Sequence, residues 1–478
     1  MSLVQSVKWI TVSQIFKIIA QLISIFYLTT LIPPQEYGVL AMAAVVINFA
    51  SLFNELGTGA AIIQKQDISV GFYNFIYKIN MATGFFVMLS VLLLSPLIVY
   101  YFKEPKLYNI LFLLSFSFPV IALSITHKSN FEKEQKFKFL AKVEIFSSLI
   151  GLFFAIIMAK LNFGVYSLVA QILINAFLFT IIIVKFSDLD LSLKAITNKD
   201  EVSGVLGFSG NLFLFNLINY FSRNLDSIII GRFFSSAILG VYSLAYRIML
   251  FPVQNLTFVI SRAFLPHLSK DLYNIKKNRE DYFNCIFVIL SLCSPLMLGL
   301  TAVSKDFVFL FFNEKWSLLS DLLVWLAPTA IIQSILSTTG TVFTAYAKTF
   351  WLFLLGSIGA ALMAGAFLFG IHFDIQTLTK FYFFANILNF FPVMILLGRV
   401  LGFSLIDVFK VIFKTVFPAI IMYFGVTFLS HYLFLSSFEL QFLIKIVFGC
   451  VVYIIIYLIM NRSVMNILLN QLKVRFVR

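Results

Sequence analysis

Long apolar runs broken by short polar stretches set the rhythm of this chain. About fourteen runs can cross a bilayer as helices, at 9–32, 36–63, 76–101, 106–126, 141–159, 164–185, 204–233, 238–265, 283–303, 318–343, 350–370, 377–398, 410–430 and 440–460. The seventh exceeds the ~20 residues a crossing needs, so it is expected to tilt or protrude. Within it lie Asn216, Asn219, Arg223 and Asp226, spaced to share one helix face. A charge at bilayer depth costs at least ~2.5–3.5 kcal/mol, so that face must turn toward another helix or a wet cavity. At an offset of 202 residues, Gln14, Lys17, Gln21 and Ser24 occupy the matching positions of the first run, and all four are polar. The polar stripe is written twice.

The repetition extends further. At the same offset Gly38 in PPQEYGVLAMAAVV meets Gly240 in SSAILGVYSLAYRI. With a small drift, Ser95-Pro96-Leu97 pairs with Ser294-Pro295-Leu296, YFKEP at 101–105 with FFNEK at 311–315, and Phe118-Pro119 with Ala327-Pro328. The pattern predicts an all-α polytopic membrane protein of two pseudo-symmetric six-helix bundles around a central cavity, plus two extra C-terminal helices. The expected divisions are 1–200, 201–405 and 406–478. Parallel repeats of this kind are the architecture of alternating-access carriers. A β-barrel is excluded, because its spans are short alternating segments.

Composition agrees: 61% of the residues are hydrophobic and 12% charged, with mean hydropathy +0.98. A soluble protein carries about twice that charged share. The net charge of +14 does not point to nucleic acid. The excess falls in short loops on one side, including Lys128, Lys133, Lys136, Lys138 and Lys142, then Lys270, Lys276, Lys277 and Arg279, and Arg462, Lys473, Arg475 and Arg478 in the tail. The opposite loops hold far fewer, among them Lys103, Lys106, Lys160, Lys305 and Lys315. Both termini are therefore expected in the cytoplasm. The stretch 128–142 reads as a basic, partly amphipathic helix on anionic lipid. No small-x-small cleavage site follows the first run, which is expected to stay as an anchor. The longest loops, 186–203 and 266–282, are too short for a water-soluble domain.

The charges expected at membrane depth are Lys17, Glu55, Arg223, Asp226, Arg247 and Arg262, with Arg232 near the outer edge. Among membrane acids the first half offers Glu55 alone. Arg223 and Arg247 reach similar depth, Lys17 lies nearer mid-membrane, and Arg262 near the inner end is expected to snorkel. Arginine suits phosphate, because its planar fork holds two oxygens and stays charged when dehydrated. The candidate substrate site is therefore Arg223, Arg247, Lys17, Gln21, Asn219 and Asn216. Asp226 and Glu55 are candidates for a coupling H+ or Na+, although Arg223 and Asp226 are also spaced for an intrahelical pair. Cys285, Cys293 and Cys450 lie in apolar runs, and no metal-ligand spacing exists. No phosphate-cradling loop and no Ser/His/Asp grouping is present, so no cofactor and no catalysis are expected.

The run RNLDSIIIGRFFSSAILGVYSLAYRIMLFPVQNLTFVISRAFLPHLSK at 223–270 resembles the central signature of bacterial polysaccharide-repeat-unit flippases. EYGVLAMA near 36–42, FNELGTGAAIIQK at 53–65 and FFNEKW at 311–316 add to the likeness. The chain is thereby similar, over most of its length, to the polysaccharide transporter branch of the multidrug/oligosaccharidyl-lipid/polysaccharide (MOP) exporter superfamily, Wzx type. The resemblance implies a substrate: an oligosaccharide repeat unit of O-antigen, capsule or exopolysaccharide on undecaprenyl diphosphate. It implies translocation from the cytoplasmic to the outer face of a bacterial inner membrane by a functional monomer. A polysaccharide polymerase and a chain-length regulator are possible partners; nucleic acid is not. The same fold also serves drug/cation antiporters, which want a carboxylate-rich cavity, and lipid II flippases, for which the 223–270 signature is wrong.

Overall fold

The structure is a computed structural model, and it describes residues 3–55, 58–64, 69–189, 191, 220, 224–270, 272–433 and 437–461. Among these every regular element is helical. Twelve helical stretches are long and apolar enough to cross a membrane. Contacts divide the chain into two compact units, Met1–Ser243 and Leu244–Arg478.

The first unit holds α1 (Leu3–Ile23), α2 (Pro34–Glu55), α3 (Thr58–Gln64), α4 (Val70–Phe102), α5 (Lys106–Ser115), α6 (Ser117–Lys133), α7 (Phe137–Lys160), α8 (Val165–Lys185) and α9 (224–233). It also holds the start of α10 (Ser236–Lys270). α1 runs on through a π-helical turn at Ser24–Leu28 into Thr29–Leu31. Such a turn adds a residue to the helical repeat and rotates the face that follows it. Here it begins at the last member of the polar stripe. α5 and α6 form one crossing bent at Phe116. α4 has 33 residues, about 50 Å of helix, so it outruns the ~30 Å hydrocarbon layer. The Ser69 side chain caps its start by accepting from the Phe72 amide, and left-handed Lys103 ends it.

The second unit holds the rest of α10, α11 (Ile275–Ala302), α12 (Ser304–Phe311), α13 (Leu318–Ala345), α14 (Thr349–Gly370), α15 (Ile375–Leu401), α16 (Leu405–Tyr432) and α17 (Phe438–Met460). α11 is its hub, packed against both α13 and α16. Val303, Ala419, Met422 and Val426 form a buried cluster beneath it. Asp374 caps α15 by accepting from the Thr377 amide at 3.2 Å, and its hydrogen bonding to Thr377 holds its carboxyl below the usual range.

Proline removes one backbone donor from a helix and frees the carbonyl four residues earlier. Inside a membrane that carbonyl needs a new partner. Pro96 frees the Leu92 carbonyl, which accepts from Ser95 Oγ at 2.8 Å. Pro295 frees Ser291, whose carbonyl accepts from the Tyr453 hydroxyl at 2.7 Å. Pro418 frees Lys414, whose carbonyl accepts from Asn461 Nδ2 at 3.1 Å. The matched Ser-Pro pairs of the repeat thus solve one problem in two ways: a local serine in α4, and a tyrosine of α17 for α11.

Two sequence expectations are corrected. The basic stretch 128–142 is not one helix: α6 ends at Lys133, Gln135 takes φ +56°, and α7 begins at Phe137. Lys136 at this turn pairs with Glu134 at 2.8 Å and Asp188 at 3.1 Å. Those two hydrogen bonds hold its ammonium above the usual lysine range. The long loop at 266–282 is also largely helical, because α10 continues to Lys270 and α11 starts at Ile275. Asn274 caps that start by accepting from the Lys277 amide. Charged residues there extend helices past the apolar run that defined them.

Candidate functional site: polar groups on the membrane helices

The first polar stripe does not act as a row of independent side chains. Lys17 Nζ lies 2.7 Å from Glu144 Oε2 on α7, and Ser13 Oγ donates to the same oxygen at 2.5 Å. Ser24 Oγ lies 3.5 Å from Gln171 Oε1 on α8. Gln14 and Gln21 are exposed on α1. Glu55 is not the only carboxylate on the first unit's crossings: Glu144 lies inside α7, which qualifies as a span. Glu144 is missing from the charges expected at membrane depth, although it falls within the predicted run 141–159. Its proximity offsets much of the Lys17 charge. Glu55 is the last residue of α2, and its side chain lies outside the described set.

Arg223, Asn219 and Asn216 also lie outside the described residues. Asp226 is described and buried, 5% exposed. It accepts from the Tyr242 hydroxyl at 3.0 Å and from the Ser227 amide at 2.6 Å. Tyr242 is fully buried at the start of α10, so this pair ties α9 to α10. Arg247 is exposed on α10 within the second unit. Arg262 belongs to the same helix.

Several signature residues hold the fold. Glu36 accepts from Lys106 Nζ at 2.7 Å and from the Val165 amide at 3.1 Å, so it caps α8 and anchors α5. Asn54 Nδ2 donates to the Phe118 carbonyl at 3.3 Å. Thr58 donates to Asn80 at 2.8 Å, and Asn80 to Thr126 at 3.3 Å, in a buried chain across α3, α4 and α6. Gly231 lies so near Phe102 that a Cβ there would stand 2.9 Å from its ring.

A cluster that the sequence reading missed lies in the second unit. Gln333 Nε2 donates to the Tyr382 hydroxyl at 2.6 Å and lies 3.4 Å from Asn386 Oδ1. The Tyr382 hydroxyl is 3.5 Å from that of Tyr246, and Phe367 stacks on its ring at 5.3 Å. Amides and phenols beside an aromatic face bind hydroxyl groups without needing charge. Gln333 and Asn386 each interrupt an apolar run, but as uncharged polar residues they leave a weaker trace in the sequence than the arginines do. Among the described residues no group of three or more His, Cys, Asp or Glu side chains is placed to hold a metal.

Comparison with known proteins places these features. A family model described as polysaccharide biosynthesis protein matches residues 27–321. The chain is 26% identical over 464 residues to the teichuronic acid biosynthesis protein TuaB of Bacillus subtilis (strain 168), covering 94% of this chain and 93% of that one. It is 26% identical over 345 residues to the lipopolysaccharide biosynthesis protein WzxC of Escherichia coli (strain K12), covering 72% and 70%. Among solved structures it matches the lipid II flippase MurJ in an inward closed conformation, at TM-score 0.76 and 18% identity over 96% of this chain and 100% of that one. That last likeness is one of fold.

Proposed function

The chain belongs to the polysaccharide biosynthesis protein family that its residues 27–321 match, and from that premise we propose that it is a flippase for lipid-linked oligosaccharide repeat units. The observation that carries this reading is the pairing of that family with a chain built of membrane helices. Twelve described stretches are long and apolar enough to cross a bilayer. A polysaccharide pathway needs one step that such a chain suits: moving a sugar-bearing lipid headgroup through oil.

The substrate is an oligosaccharide on undecaprenyl diphosphate, passed from the cytoplasmic to the outer face of a bacterial inner membrane. The protein works as a monomer with both termini in the cytoplasm, and a polymerase and chain-length regulator take up its product. Polar groups exposed alternately to the two faces carry the headgroup. Arg223, Arg247 and Lys17 attract the diphosphate, with Gln21, Asn219 and Asn216 beside them. The Lys17–Glu144 pair makes the two arginines the stronger anion ligands. Gln333, Tyr382 and Asn386 suit the sugar hydroxyls. Asp226 and Glu55 are the groups for a coupling H+ or Na+. The role is transport, not catalysis.

The test is translocation in proteoliposomes carrying an undecaprenyl-diphosphate-linked oligosaccharide. Wild-type protein is expected to move it to the opposite leaflet. Arg223→Ala with Arg247→Ala is expected to abolish movement while membrane insertion is retained. Normal movement by the double variant would remove the proposed site.

A further inference from the structure

We propose that a groove between α2 and α4 seats the isoprenoid chain of the lipid-linked substrate, with its diphosphate held against Arg232; this rests on the flippase reading and deepens it. The groove has a volume of about 610 Å³ and lies wholly within the first unit. One stripe of α2 forms one wall, from Val45 to Phe53. One stripe of α4 forms the other, from Phe86 to Phe102, and Tyr220 and Ile228 close the back. Two of the polar groups on these walls, Ser90 and Tyr220, are already engaged. Ser90 Oγ donates to the Phe86 carbonyl at 2.8 Å, and the Tyr220 hydroxyl donates to the Val45 carbonyl. The described lining is almost wholly apolar side chains, so the natural filling is hydrocarbon rather than water, which needs two to four polar partners.

The α4 wall covers sixteen residue steps, ~24 Å at 1.5 Å per residue, most of the ~30 Å hydrocarbon thickness. Each wall is a single helical stripe, and a volume of about 610 Å³ over that length suits one extended chain better than the two of a phospholipid.

A charge lies beside one end of the groove, behind a lining residue. Tyr101 is that residue, and the Arg232 guanidinium lies 5.4 Å from the Tyr101 ring centroid. Arg232 Nη1 is buried and has no hydrogen-bond partner. Among the described residues no carboxylate pairs with this arginine. A buried guanidinium donor without an acceptor is costly, and an anion with several oxygens relieves it best. One apolar chain ending in a multiply charged anion is the chemistry of a polyprenyl diphosphate. By loop charge Arg232 lies toward the outer face, so the groove would hold the tail once the headgroup has crossed.

The test uses full-length protein in nanodiscs of phosphatidylcholine and phosphatidylglycerol, with a benzophenone-tagged polyprenyl diphosphate as probe. Photolabelling is expected on α2 and α4 peptides around Phe49 and Leu94. Unlabelled polyprenyl diphosphate should compete; added phosphatidylglycerol should not. Arg232→Ala should lower labelling about tenfold, equivalent to about 1.4 kcal/mol, and Arg232→Lys less. Leu94→Trp, at a position 54% exposed, should block the groove without disturbing the core, and serves if Arg232→Ala does not fold. Equal competition by phosphatidylglycerol, or labelling confined to other helices, would overturn the groove. Translocation in proteoliposomes separates the two claims: transport by a protein labelled elsewhere leaves the flippase reading standing and removes the groove alone.

Discussion

Gly38 and Gly240 face each other backbone to backbone where α2 crosses the start of α10. A Cβ built on Gly38 would overlap the Ser236 carbonyl, and one on Gly240 would overlap the Pro34 carbonyl and stand 2.9 Å from the Gly38 nitrogen. The contact is reciprocal: position 34 meets 240 as 236 meets 38, and the repeat offset of 202 residues relates both pairs. That is the signature of a local two-fold axis, the contact two copies of one element make when each presents the same patch. Small residues are what allow membrane helices this close.

Either Gly38→Ala or Gly240→Ala should therefore destabilise the protein by about 1–3 kcal/mol or more, because backbone cannot retreat as a side chain can. Gly356→Ala, where a Cβ meets nothing within 4 Å, should be neutral or stabilise by up to about 1 kcal/mol. Thermal unfolding of detergent-solubilised variants, followed by size-exclusion profile, measures both. Equal behaviour of the three variants would contradict the crossing.

The Lys17–Glu144 pair yields a separable prediction. Lys17→Glu places two carboxylates together and should cost about 1–2 kcal/mol, less than the ~3–5 kcal/mol of a fully buried broken pair, because the lysine is 41% exposed. Lys17→Glu with Glu144→Lys should restore stability. If Lys17 also serves the diphosphate, the swapped protein will be stable yet transport poorly. Full transport by the swap would confine Lys17 to a structural role.

How much of this was legible beforehand depends on the range of the interaction. The helical runs and the Gly38/Gly240 match lie in local composition and in self-similarity, and both can be read along one chain. The partner of Lys17 could not be, because Glu144 is 127 positions away. Asp306 falls between the predicted runs 283–303 and 318–343, although it pairs with Lys445 of the last run across the second unit. The signature motifs were recognisable, yet Glu36, Asn54 and Asp226 are engaged in caps and interhelical bonds that no spacing rule distinguishes from ligand contacts. Hydropathy also cut helices short wherever charged turns continued them, as at 266–282.

Lys445 and Asp306 form the most enclosed ion pair among the described residues, 2.6 Å apart with side chains 7% and 15% exposed. It fastens α17 to α12. Lys445→Met should strand a buried carboxylate and cost about 3–5 kcal/mol, whereas Lys445→Met with Asp306→Leu should recover most of that loss. Chemical denaturation of the purified variants reads this directly. A double variant no more stable than the single one would show that the pair matters through something other than charge.

The central claim is that this protein carries a lipid-linked oligosaccharide across the membrane. It is tested most directly by deleting the gene and assaying which face of the inner membrane holds that lipid. The expected result is accumulation on the cytoplasmic face with loss of the surface glycan, both reversed by the wild-type gene and not by the Arg223→Ala, Arg247→Ala variant. Unchanged surface glycan with no cytoplasmic accumulation would contradict it.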